Sequence, residues 1–119
     1  MAKILIVDDD KEVTNLFERF LSLEGFETTA LNDSASAIEV ANSIIPDLFI
    51  LDLMMPPPDG FKLCRLLREE PKFSLTPIII ITALNDNDSK VVAYGAGAND
   101  YLTKPFHIDE LAKRVKTFI

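Results

Sequence analysis

The sequence predicts an open α/β fold: five parallel strands in the order 2-1-3-4-5, with helices on both faces of the sheet. Three observations predict it. Strand-like and helix-like stretches alternate five times along the chain. The stretches Ile4–Val7, Leu48–Leu51 and Ile78–Ile81 are apolar at every position, the mark of strands buried on both faces. Polar residues then cluster where such strands end, at Asp8-Asp9, Asp52, Thr82 and Lys104.

Ile4–Val7 is short, apolar and rich in β-branched residues, and Asp8-Asp9-Asp10 ends it. From about Lys11, Val13, Leu16, Phe17, Phe20, Leu21 and Leu23 recur at helical spacing, with Glu12, Glu18 and Arg19 opposite. Gly25 is the expected stop. Phe26–Ala30 is a half-polar strand, which suits a sheet edge. Asn32-Asp33-Ser34 starts a second helix over Ala35 to about Ser43, and Pro46-Asp47 breaks it. The Leu48–Leu51 strand runs into Asp52, then Met54-Met55, three prolines and the Asp59-Gly60 turn.

Phe61, Leu63, Cys64, Leu66 and Leu67 make a third helix that ends near Glu70-Pro71. The four isoleucines Ile78–Ile81 form the most buried strand, closed by Thr82-Ala83. Asn85-Asp86-Asn87-Asp88 is a loop and cap, and a short fourth helix is expected over Ser89 to about Tyr94, ending in the turn Gly95-Ala96-Gly97; a helical Gly95 would cost about 1 kcal/mol against alanine. Asp100–Leu102 is the fifth strand, Lys104-Pro105 turns the chain, and Ile108–Ile119 is the last helix, with Leu111, Ala112 and Val115 inward.

With 119 residues, 48% of them apolar, the chain suits one domain with a real core. Its net charge of −7 opposes direct binding to a nucleic-acid backbone. The single cysteine, Cys64, excludes an internal disulfide and reads as an inert core thiol. No apolar run reaches membrane-spanning length, and Met1-Ala2-Lys3 leads straight into a strand without room for a signal peptide. A cytoplasmic domain, 1–119, is the expectation.

In the order 2-1-3-4-5, strands one and three are neighbours, so Asp8, Asp9 and Asp52 share one crevice with Thr82 and Lys104 nearby. Three carboxylates repel each other, and an all-oxygen site with room for water suits Mg²⁺. The divalent ion and Lys104 together balance the three negative charges. A phosphoryl group would find the metal, the lysine and the Thr82 hydroxyl ready to hold its oxygens. Asp10 is the natural cap of the first helix.

The chain resembles the receiver domain of two-component response regulators. The resemblance spans Lys3 to Ile119. It rests on Ile4–Asp10, on Leu51-Asp52-Leu53-Met54-Met55-Pro56 with Asp59-Gly60, on Ile81-Thr82-Ala83, and on Gly97 to Phe106. It implies a flavodoxin-like (βα)5 fold and a switch rather than an enzyme. Asp52 would accept a phosphoryl group from a phosphohistidine on a sensor histidine kinase or phosphotransfer protein. Asp9 would ligate Mg²⁺ directly, Asp8 directly or through water, and Asp52 and the Met54 carbonyl would complete the protein ligands. Lys104 would bridge Asp52 and the phosphoryl oxygens. Thr82 would move inward with Tyr101 following it, and Lys104-Pro105 is expected to be cis.

Other features extend the resemblance or depart from it. Met54 and Leu84, two residues after Asp52 and Thr82, are apolar and cannot orient a water, which implies slow self-dephosphorylation. Pro57-Pro58 stiffens the loop after Asp52 beyond the family pattern. Asp100 and Arg114 match positions that some relatives use to dimerise through the fourth helix, fifth strand and fifth helix. His107 is expected at the surface. An aspartate-nucleophile phosphatase of the haloacid dehalogenase class would start from Asp8-x-Asp10 but needs Thr or Val where Glu12 stands. A nucleotide binder would need a glycine-rich phosphate loop, which is absent. A stand-alone receiver and one part of a longer regulator both remain open.

Overall fold

The computed structural model describes all 119 residues. The elements are β1 (Lys3–Val7), α1 (Lys11–Leu23), β2 (Glu27–Leu31), α2 (Ala37–Ile44), β3 (Leu48–Leu51), α3 (Gly60–Glu69), β4 (Ile78–Thr82), α4 (Asn87–Ala96), β5 (Asp100–Thr103) and α5 (Ile108–Phe118). All strand pairs are parallel, in the order β2-β1-β3-β4-β5. This is the expected doubly wound, flavodoxin-like fold, with half-polar β2 at an edge.

Strand side chains alternate between faces, so a strand apolar throughout feeds two cores. Leu5, Val7, Phe49, Leu51, Ile78 and Ile80 pack on one face against α2, α3 and α4. Ile4, Ile6, Leu48, Ile50, Ile79 and Ile81 pack on the other against α1 and α5. Cys64 is fully buried, as expected. In α5, Leu111, Ala112 and Val115 face inward.

Several local expectations are corrected. On α1, only Phe17, Leu21 and Thr14 are buried, while Leu16 and Leu23 are 56% and 87% exposed. One helix face covers the sheet, and these two leucines fall outside that stripe. Helix α2 ends at Ile44, and its cap residue Ile45, immediately before Pro46, takes φ +49°. Helix α4 is longer than expected. Asp86 caps it by accepting from the Ser89 N–H at 3.0 Å, and it runs through Gly95 to a left-handed Gly97. Phe73, in an unanticipated 3-10 turn over Pro71–Phe73, is fully buried and meets Phe49 edge-on at 5.3 Å. The Lys104-Pro105 bond is cis, and Pro57-Pro58 is cis as well.

Candidate functional site

Register brings the acids together. Val7 lies level with Leu51, so the next residue of each strand, Asp8 and Asp52, stand side by side. The Asp52 N–H donates to Val7 O at 3.1 Å, and the Asp8 N–H to Leu31 O at 3.1 Å. Asp10 caps α1 by accepting from Glu12 N at 2.9 Å and Val13 N at 3.4 Å, which removes it from the acid cluster. One carboxylate oxygen from each of Asp8, Asp9 and Asp52 lies within 4.8 Å of the others.

The three acids are held differently. Asp8 is buried; Oδ1 accepts from the Asp10 N–H at 3.0 Å and Oδ2 from Lys104 Nζ at 2.9 Å. Asp52 is also buried. Its Oδ1 accepts from the N–H groups of Leu53 at 2.6 Å and Met54 at 3.3 Å, and its Oδ2 faces Lys104 Nζ at 3.4 Å. Asp9 is exposed.

Burial pushes the Asp8 carboxyl above the ordinary range, against the opposing pull of the Asp10 amide and of Lys104. Burial also works against the charge on Lys104, but its hydrogen bond to Asp8 and the fields of Asp52 and Asp8 outweigh that and raise its pKa. Lys104 therefore stays protonated. Its N–H donates to Thr82 O at 2.7 Å, which extends the β4–β5 ladder and aims the side chain across the strand ends.

Thr82 is fully buried at the end of β4, and its Oγ1 accepts from the Leu84 N–H at 3.4 Å. Tyr101 is buried, and its hydroxyl donates to Leu84 O at 2.6 Å. Both residues thus hold the same backbone residue, Leu84. Met54 is 59% exposed and lines a cleft beside the acids with Asp9, Met55, Pro56, Phe61 and Leu84.

Asp8, Asp9, Asp52 and Lys104 meet at the strand ends, while Thr82 and Tyr101 meet each other at Leu84. Two residues that touch the loops of the site were not anticipated. Asn32 Nδ2 donates to Asp8 O at 2.8 Å, and Ser34 Oγ donates to Pro56 O at 2.9 Å. Both were visible only as helix-start residues, because nothing in one strand's sequence shows which neighbouring loop its end will meet.

A family model described as the response regulator receiver domain matches residues 4–116. The chain belongs to this family. It is 36% identical over 119 residues to the DNA-binding dual master transcriptional regulator RpaA of a Synechocystis strain, covering all of this chain and 49% of RpaA. It is 40% identical over 116 residues to the transcriptional regulatory protein GltR of Pseudomonas aeruginosa, covering 98% of this chain and 48% of GltR. The chain thus spans about half the length of these curated relatives. Among solved structures, Vibrio cholerae chemotaxis protein CheY4 superposes with a TM-score of 0.95 at 28% identity, over 100% of this chain and 99% of that one. The receiver domain of Francisella response regulator 1452 gives 0.91 at 36% identity, over 99% and 96% of the two chains.

The receiver's acidic pocket fits a Mg²⁺ ion by its donor chemistry. All its side-chain donors are carboxylate oxygens, the set this hard cation prefers, and Asp9 lies open to solvent, where retained waters have room. Asp100 and Arg114 pair within this chain, Nη1 to Oδ1 at 2.6 Å, with Glu110 as a further partner of Arg114 at 3.4 Å. No helix is long and apolar enough to cross a membrane.

Proposed function

We propose that Asp52 is the phosphoacceptor of this receiver. One observation carries the assignment: Asp52 is a buried carboxylate that faces a protonated lysine and shares a pocket with two further acids. A carboxylate is a weak nucleophile, and the incoming phosphoryl group is negatively charged, so both need cationic help. When bound, Mg²⁺ supplies charge neutralisation at the phosphoryl oxygens. Asp8, Asp9, Asp52 and the Met54 carbonyl are the groups to hold it.

Asp52 Oδ2 attacks the phosphorus of a phosphohistidine on a sensor kinase or phosphotransfer protein. The O–P bond forms as the P–N bond breaks, and the electron pair of that bond returns to the imidazole nitrogen. The Leu53 and Met54 amides keep Oδ1 turned away from the attack, and Lys104 pairs with the phosphoryl oxygens. Thr82 turns its hydroxyl to the new group and gives up the Leu84 amide. Tyr101, bound to the same residue, follows and reshapes the α4-β5-α5 surface by a shift between two populations. The chain catalyses only its own phosphorylation and dephosphorylation.

Residues 1–119 form the receiver domain, working in the cytoplasm without direct contact with nucleic acid or membrane. Dimerisation through α4-β5-α5 is the second reading. It requires Asp100 and Arg114 to exchange their present partners, and a change in mass by light scattering on phosphorylation tests it. For the main reading, intact-mass spectrometry with Mg²⁺ and acetyl phosphate is expected to give one phosphoryl adduct that Asp52→Asn abolishes. An adduct that survives the substitution would refute the assignment.

A further inference from the structure

Asp9 has an exposed carboxylate, so its backbone has to present it. The Asp8–Asp9 peptide is planar, and fixing the Asp8 carbonyl fixes the plane from which the Asp9 side chain hangs. That carbonyl accepts Asn32 Nδ2 at 2.8 Å. The same amide nitrogen donates to Thr14 Oγ1 at 3.0 Å, and Thr14 Oγ1 in turn donates to Lys11 O at 3.2 Å. Thr14 is only 1% exposed, so this anchor is shielded from water.

Asn32 therefore ties three elements together: the end of edge strand β2, the loop that carries Asp8 and Asp9, and the first turn of α1. It is not needed to start the next helical turn. Asp33 does that, accepting from the Ala35 N–H at 3.1 Å and the Ser36 hydroxyl at 2.9 Å. The two peptides that flank Asp8 are both held by the end of β2 and the residue after it: the Leu31 carbonyl accepts the Asp8 N–H, and the Asn32 amide donates to the Asp8 carbonyl. Two residues on, Ser34 Oγ bonds Pro56 O, so the loop after β2 also touches the loop that follows Asp52.

We infer that Asn32, fixed in place by Thr14, is a positioning residue that sets the Asp8–Asp9 peptide and so presents Asp9 to a divalent cation. The inference rests on the reading of Asp8, Asp9 and Asp52 as a Mg²⁺ site. The Asn32 side chain hydrogen-bonds to no carboxylate; its partners are the Asp8 carbonyl and Thr14 Oγ1. It acts through the main chain, as groups behind a metal's ligands do, and losing such a group typically lowers metal affinity by about 10- to 100-fold.

The experiment is calorimetric titration of the chain with MgCl2, alongside thermal melting in EDTA. Asn32→Ala is expected to weaken Mg²⁺ binding by about tenfold. Thr14→Val, which keeps the amide but removes its anchor, is expected to weaken binding less. The double variant is expected to be no worse than Asn32→Ala, because both act through one link. A purely structural role would lower the melting temperature and leave Mg²⁺ affinity at the parent value, and that result overturns the inference. If Asn32→Ala does not fold, parent-like affinity in Thr14→Val overturns it equally. Failure of the underlying reading looks different: Asp9→Asn would then bind Mg²⁺ as well as the parent, or the parent would not bind it at all.

Discussion

Lys104 Nζ lies 2.9 Å from Asp8 Oδ2 and 3.4 Å from Asp52 Oδ2, so the one lysine of the pocket pairs more closely with the more deeply buried acid. A single ammonium cannot neutralise three carboxylates. The remaining negative charge matches a divalent ion, and it falls mostly on Asp9 and Asp52, the two acids farther from the lysine.

Burial raises the Asp8 pKa, so the folded chain keeps that proton to higher pH than the unfolded chain, whose ordinary value is 3.8. Folding stability from this group therefore falls as pH rises through the folded Asp8 pKa, and is recovered as pH is lowered toward 3.8. Lys104 adds no slope there, because its contribution is complete below the ordinary lysine value of 10.5 and is lost only above it. In EDTA at neutral pH, Asp8→Asn is expected to melt higher than the parent, with the difference shrinking as pH falls. Mg²⁺ is expected to raise the parent's melting temperature by mass action and to move Asp8→Asn far less. Melting curves with and without MgCl2 from neutral to acidic pH check both.

Met54 and Leu84 line the cleft beside the acids with Asp9 and Leu53, and neither side chain carries a group that can align a water for attack on an acyl phosphate. The phosphorylated chain is expected to persist for minutes or longer. Met54→Asn places an amide in that half-open position and is expected to shorten the lifetime. Decay of the phosphoryl adduct by intact mass measures it. A lifetime of seconds in the parent, unchanged in Met54→Asn, would exclude this role for Met54.

The site was legible because its residues stand at strand ends, and parallel order alone gathers strand ends on one edge. Asp8, Asp9, Asp52, Thr82 and Lys104 needed only the topology to meet. Asn32 and Ser34 were not legible, because the groups they hold at the site are the backbone carbonyls of Asp8 and Pro56, and a carbonyl leaves no mark in a sequence. The cap before α4 was legible at Asn85–Asp88, but the helix was read as stopping at the Gly95-Ala96-Gly97 turn, whereas only Gly97 takes the left-handed conformation that ends it. Leu16 and Leu23 were read inward because helical spacing gives a period and not the width of the covered stripe.

Arg68 staples the end of α3 to the starts of β4 and β5. Its Nε and Nη2 donate to Gly97 O at 3.0 and 2.8 Å. Its Nη1 donates to Phe73 O and Thr76 O at 2.8 and 2.6 Å, and Nη2 also reaches Asn99 Oδ1 at 2.7 Å. Burial lowers its pKa, but the guanidinium remains charged. Arg68→Ala strands several half-buried carbonyls and is expected to cost about 2–4 kcal/mol. Arg68→Lys is expected to recover little, because a point ammonium cannot span that fork. Urea unfolding of the three proteins gives the comparison, and a loss within about 0.5 kcal/mol would mean that water replaces the staple.

Two glycines are expected to respond in opposite ways to alanine. Gly95 lies inside α4 with no atom within 4 Å of an added Cβ. Gly95→Ala should therefore stabilise the chain by about 0.5–1 kcal/mol, through helix propensity and a less flexible unfolded state. Gly60 opens α3 directly beneath the backbone of Asp52 and Leu53. A Cβ there would sit 2.6 Å from Leu53 Cα and closer still to Asp52 O. Both are main-chain atoms, so neither can swing aside. Gly60→Ala should cost about 1–3 kcal/mol and displace the Leu53 and Met54 amides that orient Asp52, slowing phosphoryl uptake as well. Melting temperature together with the initial rate of adduct formation separates the two. Gly95→Ala should move only the first, and Gly60→Ala should lower both.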